Sequence, residues 1–502
     1  MLRNIGSTWV VTLVTIAATY VLTPFIIHTL GPEGYGTWTL ITSLTGYISL
    51  LALGVPMACV RYLAGHVAKG DTPEVNKVIG SCAGLYLMVG AAALVIGGML
   101  AALFEVYDIP PALHAQSSLA YALMVLYVSA GFIGLLPEGI LFAHLDFVPR
   151  NAVRVAGVLL RLSLTVALLK LSASLLVLAL VQLACLAFDF GVAWMVIRRR
   201  HPAVRISLAD YDRSTVRSIF SFSVYVLLMQ AGVRLSFETD ALVIGAFLGV
   251  GAVSFYVVAN SLIVYLMEFV IAIAAVVSPM ATKLNAEGKR GELREIFLKW
   301  SKVAFSLSLL AGLFLIVLGP RFMARWIDPS FEQPAGQVLQ ILMVSSLLFL
   351  PVRGVALPIL MGLGKPKAPT IAFLIAGVLN VGLSVLLARP LGLAGVALGT
   401  AIPNVVFAVV VLIMVCRELG ITLSHYTRYV VPRALIGSVP VLALLLWFKL
   451  GLQVSDMIGL IAAGSAMVVL FGLTWLFYVY RDDPYVNVKS HLVRFAAWRS
   501  RA

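Results

Sequence analysis

One stretch of the sequence places charged side chains inside a long apolar region. Arg234, Glu238 and Asp240 lie among residues that otherwise suit lipid, and a charge inside a bilayer costs several kcal/mol unless it faces a cavity or a partner. On a helix of 3.6 residues per turn, Gln230, Arg234 and Glu238 share one side, and Asp240 lies about a quarter turn away. An arginine can bind an anion such as a phosphate, and a carboxylate that faces a cavity can take up a proton or Na+. The stretch therefore predicts a helix that turns a polar line toward something other than lipid.

The same pair of residues also permits a purely structural interpretation. Arg234 and Glu238 are spaced i, i+4, so the two side chains can neutralise each other on one helix. Both interpretations stay open, because a ligand could compete with such an ion pair.

Further polar side chains fall inside apolar segments. Arg161 shares a helix side with Arg154 and Thr165, which predicts a basic stripe that leads inward, or arginines that snorkel to the membrane interface. Tyr265 and Glu268 share one side of a later segment. Glu268 is therefore a candidate proton or Na+ site, with a hydrogen-bonded glutamate that holds helices together as the alternative.

Arg353 follows a proline and precedes a glycine. Pro351 and Gly354 disrupt the backbone ladder and can expose carbonyl groups to a cavity, so Arg353 is a candidate cavity residue, and a packing kink is the alternative. Glu138 and Asp189 also lie in apolar segments. Each is either a carboxylate that couples an ion or a residue near the inner interface.

The elements that must position these residues are membrane-spanning helices. Of 502 residues, 61% are hydrophobic and only 12% are charged, which is too little charge to cover a soluble protein of this length. Apolar runs of about 20 residues recur along the chain, and each can cross a hydrocarbon core of about 30 Å as a helix. We predict an all-α polytopic membrane protein with fourteen transmembrane helices. The predicted spans are residues 5–28, 37–62, 78–104, 116–142, 152–170, 174–197, 218–246, 252–282, 301–320, 337–362, 370–388, 395–416, 435–451 and 458–480.

Lysine and arginine are distributed unequally between the predicted loops. When a basic residue at the end of a span is counted with the adjoining loop, alternate loops and the two ends hold 28 of the 36 basic residues and the opposite loops hold five. Arg161, Arg234 and Arg353 lie deeper inside spans. The positive-inside rule then predicts that both termini are cytoplasmic. The net charge of +14 thus reflects membrane topology, and we expect no nucleic-acid partner.

Three pairs of short segments repeat at nearly one offset. Leu30-Gly31 matches Leu248-Gly249, Pro56-Met57-Ala58 matches Pro279-Met280-Ala281, and residues 156–159 match residues 376–379, at offsets of 218, 223 and 220. Six spans per copy give both copies the same orientation, as in parallel repeats related by an axis along the membrane normal. Two such bundles can enclose a cavity and expose it to either face in turn, which indicates a transporter.

Four stretches carry a resemblance to a known family. They are LGPEGYGTWTLITSL (30–44), RYLAGHVAKGD (61–71), DALVIGAFLGVGAVSFYVVANSL (240–262) and GLGKPKAPTIAFLIAGVLNVGLSVLLARPLGLAGVALGTAI (362–402). They resemble the polysaccharide transporter (Wzx-like) flippases of the superfamily that also holds the multidrug-and-toxin extruders (MATE) and the lipid II flippase MurJ. The resemblance covers essentially the whole chain.

This resemblance implies a fold and a substrate. The fold is two parallel six-helix lobes around a central cavity, with two additional C-terminal helices. The implied activity is ion-coupled flipping of polyprenyl-diphosphate-linked oligosaccharides across the bacterial inner membrane, for capsule, exopolysaccharide or O-antigen synthesis. The implied partners are the lipid bilayer, a polysaccharide polymerase with assembly proteins, and Na+ or H+ as the coupling ion.

Under this hypothesis the polar residues divide into two groups. The candidate substrate-binding residues are Arg161, Arg234, Arg353, Gln230 and Tyr265. The candidate ion-coupling residues are Glu238, Asp240 and Glu268.

Two other functions stay open on the sequence. A drug or cation antiporter of the same fold would favour acidic and aromatic cavity residues, whereas three arginines within spans favour an anionic substrate. A membrane glycosyltransferase or polymerase would need a large outer loop with catalytic groups, and the longest outer loop, 321–336, is short. We therefore expect no enzyme. We also expect no cofactor or metal, since GLGKPK is too short and misspaced for a phosphate loop and the four cysteines lack metal-ligand spacing.

The predicted domain organisation follows the repeat. The ranges are an N-terminal lobe (1–197), a cytoplasmic linker (198–217), a C-terminal lobe (218–416), helices 13 and 14 (417–480) and a basic cytoplasmic tail (481–502). The linker and the tail mix basic and apolar residues, which predicts amphipathic helices on anionic lipid.

Overall fold

Helices make up most of the part of the chain that the structure describes. This computed structural model describes residues 2–52, 54–217, 219, 231–236 and 238–486, and these residues contain no β-strand. The prediction of an all-α protein is therefore confirmed. The chain divides into two compact units, Met1–Ser254 and Phe255–Ala502.

The first unit is built from long helices. They are α1 (Leu2–Ile48), α2 (Val55–Lys69), α3 (Thr72–Leu100), α4 (Pro111–Ala143), α5 (Phe147–Leu171), α6 (Leu175–Arg200) and the short α7 (Thr239–Leu248). In this unit α4 packs on α3 and α6, and α1 packs on α5 and α7.

The second unit begins within α8 (Val250–Ile271). The helices that follow are α9 (Ala274–Ala286), α10 (Arg290–Val317), α11 (Gly319–Trp326), α12 (Pro334–Pro351), α13 (Leu357–Gly362), α14 (Lys367–Leu419), α15 (Leu423–Val430), α16 (Pro432–Leu446) and α17 (Met457–Thr474). Here α12 packs on α10 and α14, and the late helices α16 and α17 pack on each other and on α10.

Eleven helical segments among the described residues are long and apolar enough to cross a membrane. Two of them, Gly6–Ala52 and Lys367–Leu419, are 47 and 53 residues long. At 1.5 Å per residue each would far exceed a core of about 30 Å. Lys367–Leu419 covers two predicted spans and contains a turn at Gly392, and Gly6–Ala52 covers one predicted span and part of the next and contains a turn at Gly31. Most of the predicted span 218–246 lies outside the described residues. The count of fourteen therefore stays a prediction, and the multi-pass membrane fold is established.

Gly31 and Gly249 adopt nearly the same backbone conformation. Their φ/ψ angles are 74°/169° and 89°/158°, a region that essentially only glycine occupies. Each is the second residue of a repeated Leu-Gly pair. The segments that follow the two turns pack closely, because a Cβ on Gly36 would lie 1.9 Å from the Val250 carbonyl oxygen. The repeated dipeptide thus marks a repeated turn.

The predicted span 37–62 is not one continuous helix, because the helix is interrupted between Ile48 and Val55. After α1 the chain forms a 3-10 helix, Ser49–Ala52, and α2 starts beyond Gly54, whose φ is 75°. Gly54 adopts the left-handed conformation easily because it has no side chain. Pro56 suits the first turn of α2 because the backbone N–H that proline lacks would have no acceptor within the helix there.

The linker 198–217 is also not one amphipathic helix. Residues 201–212 lack regular helix apart from a 3-10 turn, and the chain is helical again at 213–217. This segment docks on α3, where Asn76 donates to the Ala203 carbonyl and accepts from the Arg205 N–H, both at 3.0 Å. The Asp212 N–H donates to Ser81 Oγ at 2.9 Å. We call residues 201–212 the strap.

Two glycines of α3 let the strap approach closely. A Cβ on Gly80 would lie 2.4 Å from the Ser207 carbonyl oxygen, and one on Gly84 would lie 2.7 Å from the Tyr211 ring. The strap therefore lies in a groove on α3 where Gly80 and Gly84 have no side chains. Hydrophobic periodicity does not predict such a groove.

A buried ion pair fixes the segment after α17. Lys302 of α10 pairs with Asp483, and both side chains are almost fully buried. Lys302 also donates to the Val479 carbonyl at 3.2 Å, and Asp483 accepts from the Tyr429 hydroxyl at 2.8 Å and the Tyr485 N–H at 3.0 Å. Sequence reasoning treated Lys302 as a topology signal only, whereas the fold uses it as an anchor.

Candidate functional site

A cavity of about 600 Å³ opens in the first unit. Its walls come from the break between α1 and α2, from the adjoining ends of α4 and α5, and from Val233, Arg234 and Glu238. The lining residues that carry charge are Glu138, Arg150, Arg234 and Glu238. Two arginines and two glutamates thus face one cavity that is otherwise largely apolar.

Arg234 and Glu238 form the ion pair that their i, i+4 spacing allows. Arg234 Nη2 also donates to Ser49 Oγ at 2.9 Å, and Ser49 in turn donates to the Gly46 carbonyl at 2.7 Å. The break after α1 thus supplies a hydroxyl that holds the guanidinium. Sequence reasoning identified the pair and left its surroundings open.

Gly46 of α1 makes room for this pair. A Cβ on Gly46 would lie 2.8 Å from Arg234 Nη1 and 3.1 Å from Glu238 Oε2. The charged groups therefore rest directly on the α1 backbone.

Arg150 and Glu138 form the second pair in the cavity. Arg150 Nη2 donates to Glu138 Oε1 at 2.6 Å, and Arg154 Nε lies 3.8 Å from the same oxygen. The Arg150 guanidinium carbon lies 5.3 Å from the centre of the Phe142 ring, a cation–π contact. The Arg150 Nε is buried and has no hydrogen-bond partner among the described residues.

The turn between α4 and α5 brings this pair together. Only residues 144–146 separate the two helices, so a residue shortly before the turn faces one shortly after it. Asp146 accepts from Arg200 at 2.6 Å and lies 2.7 Å from the His201 ring nitrogen, which ties the turn to the end of α6. From the sequence, Arg150 was counted only among the basic loop residues that indicate topology. The signal that could have predicted its ion pair is Glu138, twelve residues earlier and close to the same short turn.

Arg161 takes part in a different cluster, between α5 and α6. It lies against Cys185 and within electrostatic range of Asp189, and its Nε has no hydrogen-bond partner. The Asp189 carboxylate packs on the backbone of Gly157, where a Cβ would lie 2.2 Å from Oδ1. The predicted stripe of Arg154 and Arg161 is thus matched by acidic groups, and Arg161 is not among the residues that line the cavity.

Asp240 is buried, with 2% of its surface exposed, in the first turn of α7. A carboxylate at this position is stabilised by the helix dipole. Beside it, Thr239 Oγ1 forms a hydrogen bond with the hydroxyl of Tyr47 on α1. The predicted substrate residue Gln230 lies outside the described residues.

The remaining candidates belong to the second unit. Arg353 lies on a π-helical turn, Val352–Ala356, with its guanidinium carbon 5.1 Å from the Phe373 ring centre and its Nε lacking a hydrogen-bond partner. This turn is the disruption that the neighbouring proline and glycine predicted. Tyr265 is half-buried and Glu268 is exposed on α8. The predicted roles of these residues stay predictions.

Within the described part of the chain, no group of three or more histidine, cysteine, aspartate or glutamate side chains is placed to hold a metal ion. The four cysteines, Cys59, Cys82, Cys185 and Cys416, are free and buried.

The sequence matches a family model described as polysaccharide biosynthesis protein over residues 1–285. This is more than half of the chain, which therefore belongs to that family. A second model, MatE, matches residues 226–386. The membrane protein EpsK of Bacillus subtilis (strain 168), described as uncharacterized, is 24% identical over 432 residues, which cover 83% of this chain and 82% of EpsK.

Solved structures share the fold at low identity. The lipid II flippase MurJ in an inward closed conformation has a TM-score of 0.73 and 12% identity, covering 96% of this chain and 99% of MurJ. An inward-facing multidrug resistance transporter of the MATE family has a TM-score of 0.69 and 19% identity, with coverages of 82% and 98%. A transporter of the same superfamily from Pyrococcus furiosus, whose binding pocket has reversed polarity, has a TM-score of 0.60 and 17% identity, with coverages of 83% and 95%.

Family and fold agree on the class of protein. It is a membrane transporter of the multidrug/oligosaccharidyl-lipid/polysaccharide exporter superfamily and not an enzyme. The predictions of superfamily and fold class are confirmed.

Proposed function

We propose that the protein flips polyprenyl-diphosphate-linked oligosaccharide units across the bacterial inner membrane by alternating access. The units would serve the synthesis of capsule, extracellular polysaccharide or O-antigen. The observation that carries this proposal is the pair of arginines, Arg150 and Arg234, that line one cavity in the first unit. Arginine suits bidentate contacts with phosphate oxygens.

Membership in the polysaccharide biosynthesis family supports a substrate of this class. In this proposal both termini are cytoplasmic, and a polysaccharide polymerase with assembly proteins takes up the flipped units. Arg161, Arg353, Gln230 and Tyr265 contribute further substrate contacts.

The transport cycle is proposed to be coupled to Na+ or H+. Glu238, Asp240 and Glu268 are the candidate coupling carboxylates. The burial of Asp240 and the position of Glu238 in the cavity wall support the first two.

A drug or cation antiporter is the second candidate function. Glu138 and Glu238 also line the cavity, and carboxylates there suit a cationic ligand. The two candidates differ in the charge that the cavity must accept.

A deletion strain separates the two functions. Its polyprenyl-diphosphate oligosaccharides are extracted and assigned to a membrane leaflet. Accumulation of the complete unit in the cytoplasmic leaflet is expected for the flippase. Normal lipid-linked sugars together with new sensitivity to cationic drugs would favour the antiporter.

Single alanine substitutions of Arg161, Arg234 and Arg353 in the complemented strain test the anion hypothesis. Export should fall in at least the Arg234 variant at unchanged protein level. Unchanged export in all three would contradict the role of these arginines.

A further inference from the structure

In both ion pairs of the cavity, the two partners differ in how far they are buried. In the Arg150–Glu138 pair, 19% of the arginine side chain is exposed and 38% of the glutamate. In the Arg234–Glu238 pair the values are 25% and 40%. In both pairs the cation is the more buried partner and the carboxylate faces the cavity more openly.

Each arginine also has a neutral anchor that does not depend on its carboxylate. Arg234 donates to Ser49 Oγ at 2.9 Å, and Arg150 stacks against the Phe142 ring at 5.3 Å. Arg150 keeps one buried N–H, on Nε, for which the described part of the chain offers no acceptor. If either glutamate swung away, its arginine would stay in the wall and gain unused donors.

A partly exposed ion pair is weak. The carboxylate of each pair is partly exposed, so solvent screens its attraction to the arginine, whereas a phosphate group offers the guanidinium more negative charge and a bidentate set of acceptor oxygens. A phosphate group that binds an anchored arginine can therefore displace such a carboxylate.

We propose that Glu138 and Glu238 are displaceable occupants of a diphosphate site, one on Arg150 and one on Arg234. Each carboxylate covers its arginine while the cavity is empty, and the two phosphate groups of the ligand replace them. This inference rests on the proposed function, since it takes the lipid-linked diphosphate as the ligand. It assigns the glutamates as competitors of the substrate, and not as groups that orient the arginines.

Whether a glutamate substitution raises or lowers the affinity for a diphosphate tests this assignment. Full-length protein in phosphatidylcholine nanodiscs is titrated with a short-chain prenyl diphosphate, and with the matching monophosphate and free prenol as comparison ligands. Glu138→Gln and Glu238→Gln should each bind the diphosphate about two- to fivefold more tightly, because a weak competing ion pair is removed. Arg150→Met and Arg234→Met should bind it about ten- to a hundredfold more weakly, because charge-assisted hydrogen bonds are lost.

Glu74 and Lys77 supply matched controls. They form a partly exposed pair on α3 at 3.6 Å, outside the cavity, so Glu74→Gln and Lys77→Met should leave binding unchanged. Thermal unfolding of each variant identifies any that is misfolded. The two glutamate variants are independent, so one well-folded protein is enough for the test.

The outcomes separate the inference from the proposed function. If the glutamine variants bind the diphosphate as weakly as the methionine variants, or no differently from wild type, the inference is overturned, while selective binding by wild type still supports the flippase. If neither wild type nor the glutamine variants prefer the diphosphate to the monophosphate and the prenol, the proposed substrate class is overturned as well.

Discussion

Gly46 is the residue on which the chemistry of the cavity depends most closely. A Cβ there meets the far ends of two flexible side chains, Arg234 and Glu238, at 2.8 and 3.1 Å. We expect Gly46→Ala to displace the ion pair and reduce export severalfold with little loss of stability, since these ends can move. Export in the complemented deletion strain, together with the melting temperature, measures both effects.

Gly131 of α4 is a matched control for this substitution. A Cβ on Gly131 would meet no heavy atom within 4 Å, so Gly131→Ala should leave export unchanged. Equal export by the Gly46 and Gly131 variants would contradict the positioning role of Gly46.

The buried Lys302–Asp483 pair is a stability feature at the residue scale. Removing one partner of a buried pair leaves an uncompensated charge, at a cost of about 3–5 kcal/mol. Lys302→Met and Asp483→Asn should each lower the melting temperature strongly. The double variant should lose less than the sum of the two, and additive losses would contradict direct pairing.

The same pair predicts a pH dependence. Burial alone would raise the pKa of Asp483, but hydrogen bonds from Lys302, Tyr429 and the Tyr485 N–H outweigh it, and the pKa lies below its ordinary value. Because the folded-state pKa is depressed, this stabilisation is present above the unfolded pKa of about 4 and is lost as pH falls through the folded value. Melting temperatures between about pH 5 and pH 3 should therefore fall more in wild type than in the double variant.

At the scale of elements, two glycine turns divide or join long helices. Gly31 and Gly249 have positive φ, and a Cβ on either would meet no heavy atom within 4 Å, so alanine there suffers backbone strain without a clash. Each substitution should cost about 1–3 kcal/mol. Gly98→Ala, in the body of α3 with open space around it, should be neutral or stabilising, and thermal unfolding compares the three.

The strap is the second feature of this scale. Gly80→Leu would push a side chain into the Ser207 carbonyl, which a Cβ already approaches to 2.4 Å, so the strap must leave α3. Trypsin cleavage after the exposed Arg205 should then become faster. Gly65→Leu, where nothing lies within 4 Å, is the control, and equal cleavage rates in both variants would contradict docking of the strap.

At the scale of the whole molecule, topology is the prediction that most needs a measurement. The four native cysteines are buried, so single cysteines can be introduced at the exposed positions Lys289 and Gln453. The positive-inside rule predicts that an impermeant thiol reagent labels Gln453→Cys in intact spheroplasts and Lys289→Cys only after lysis. The reverse pattern would invert the proposed orientation.

The sequence alone determined the membrane class, the helical fold, the superfamily and the ion pair of Arg234 and Glu238. Hydropathy and i, i+4 spacing depend only on residues that are close in the sequence, so they can be read without knowledge of the fold. The two Leu-Gly pairs, 30–31 and 248–249, could also be matched in the sequence, because both glycines adopt a backbone conformation that other residues rarely take. The repeat of two six-helix units stays a prediction.

Only the tertiary structure decided which charges share a cavity. Arg150 and Glu138 face each other because a three-residue turn folds α5 back on α4, and Ser49 reaches Arg234 because the chain leaves the helix after α1. The strap docks on α3, and Lys302 pairs with Asp483, through residues that are more than a hundred positions apart in the sequence. Such pairings arise from packing between helices, which the periodicity of a single helix does not record.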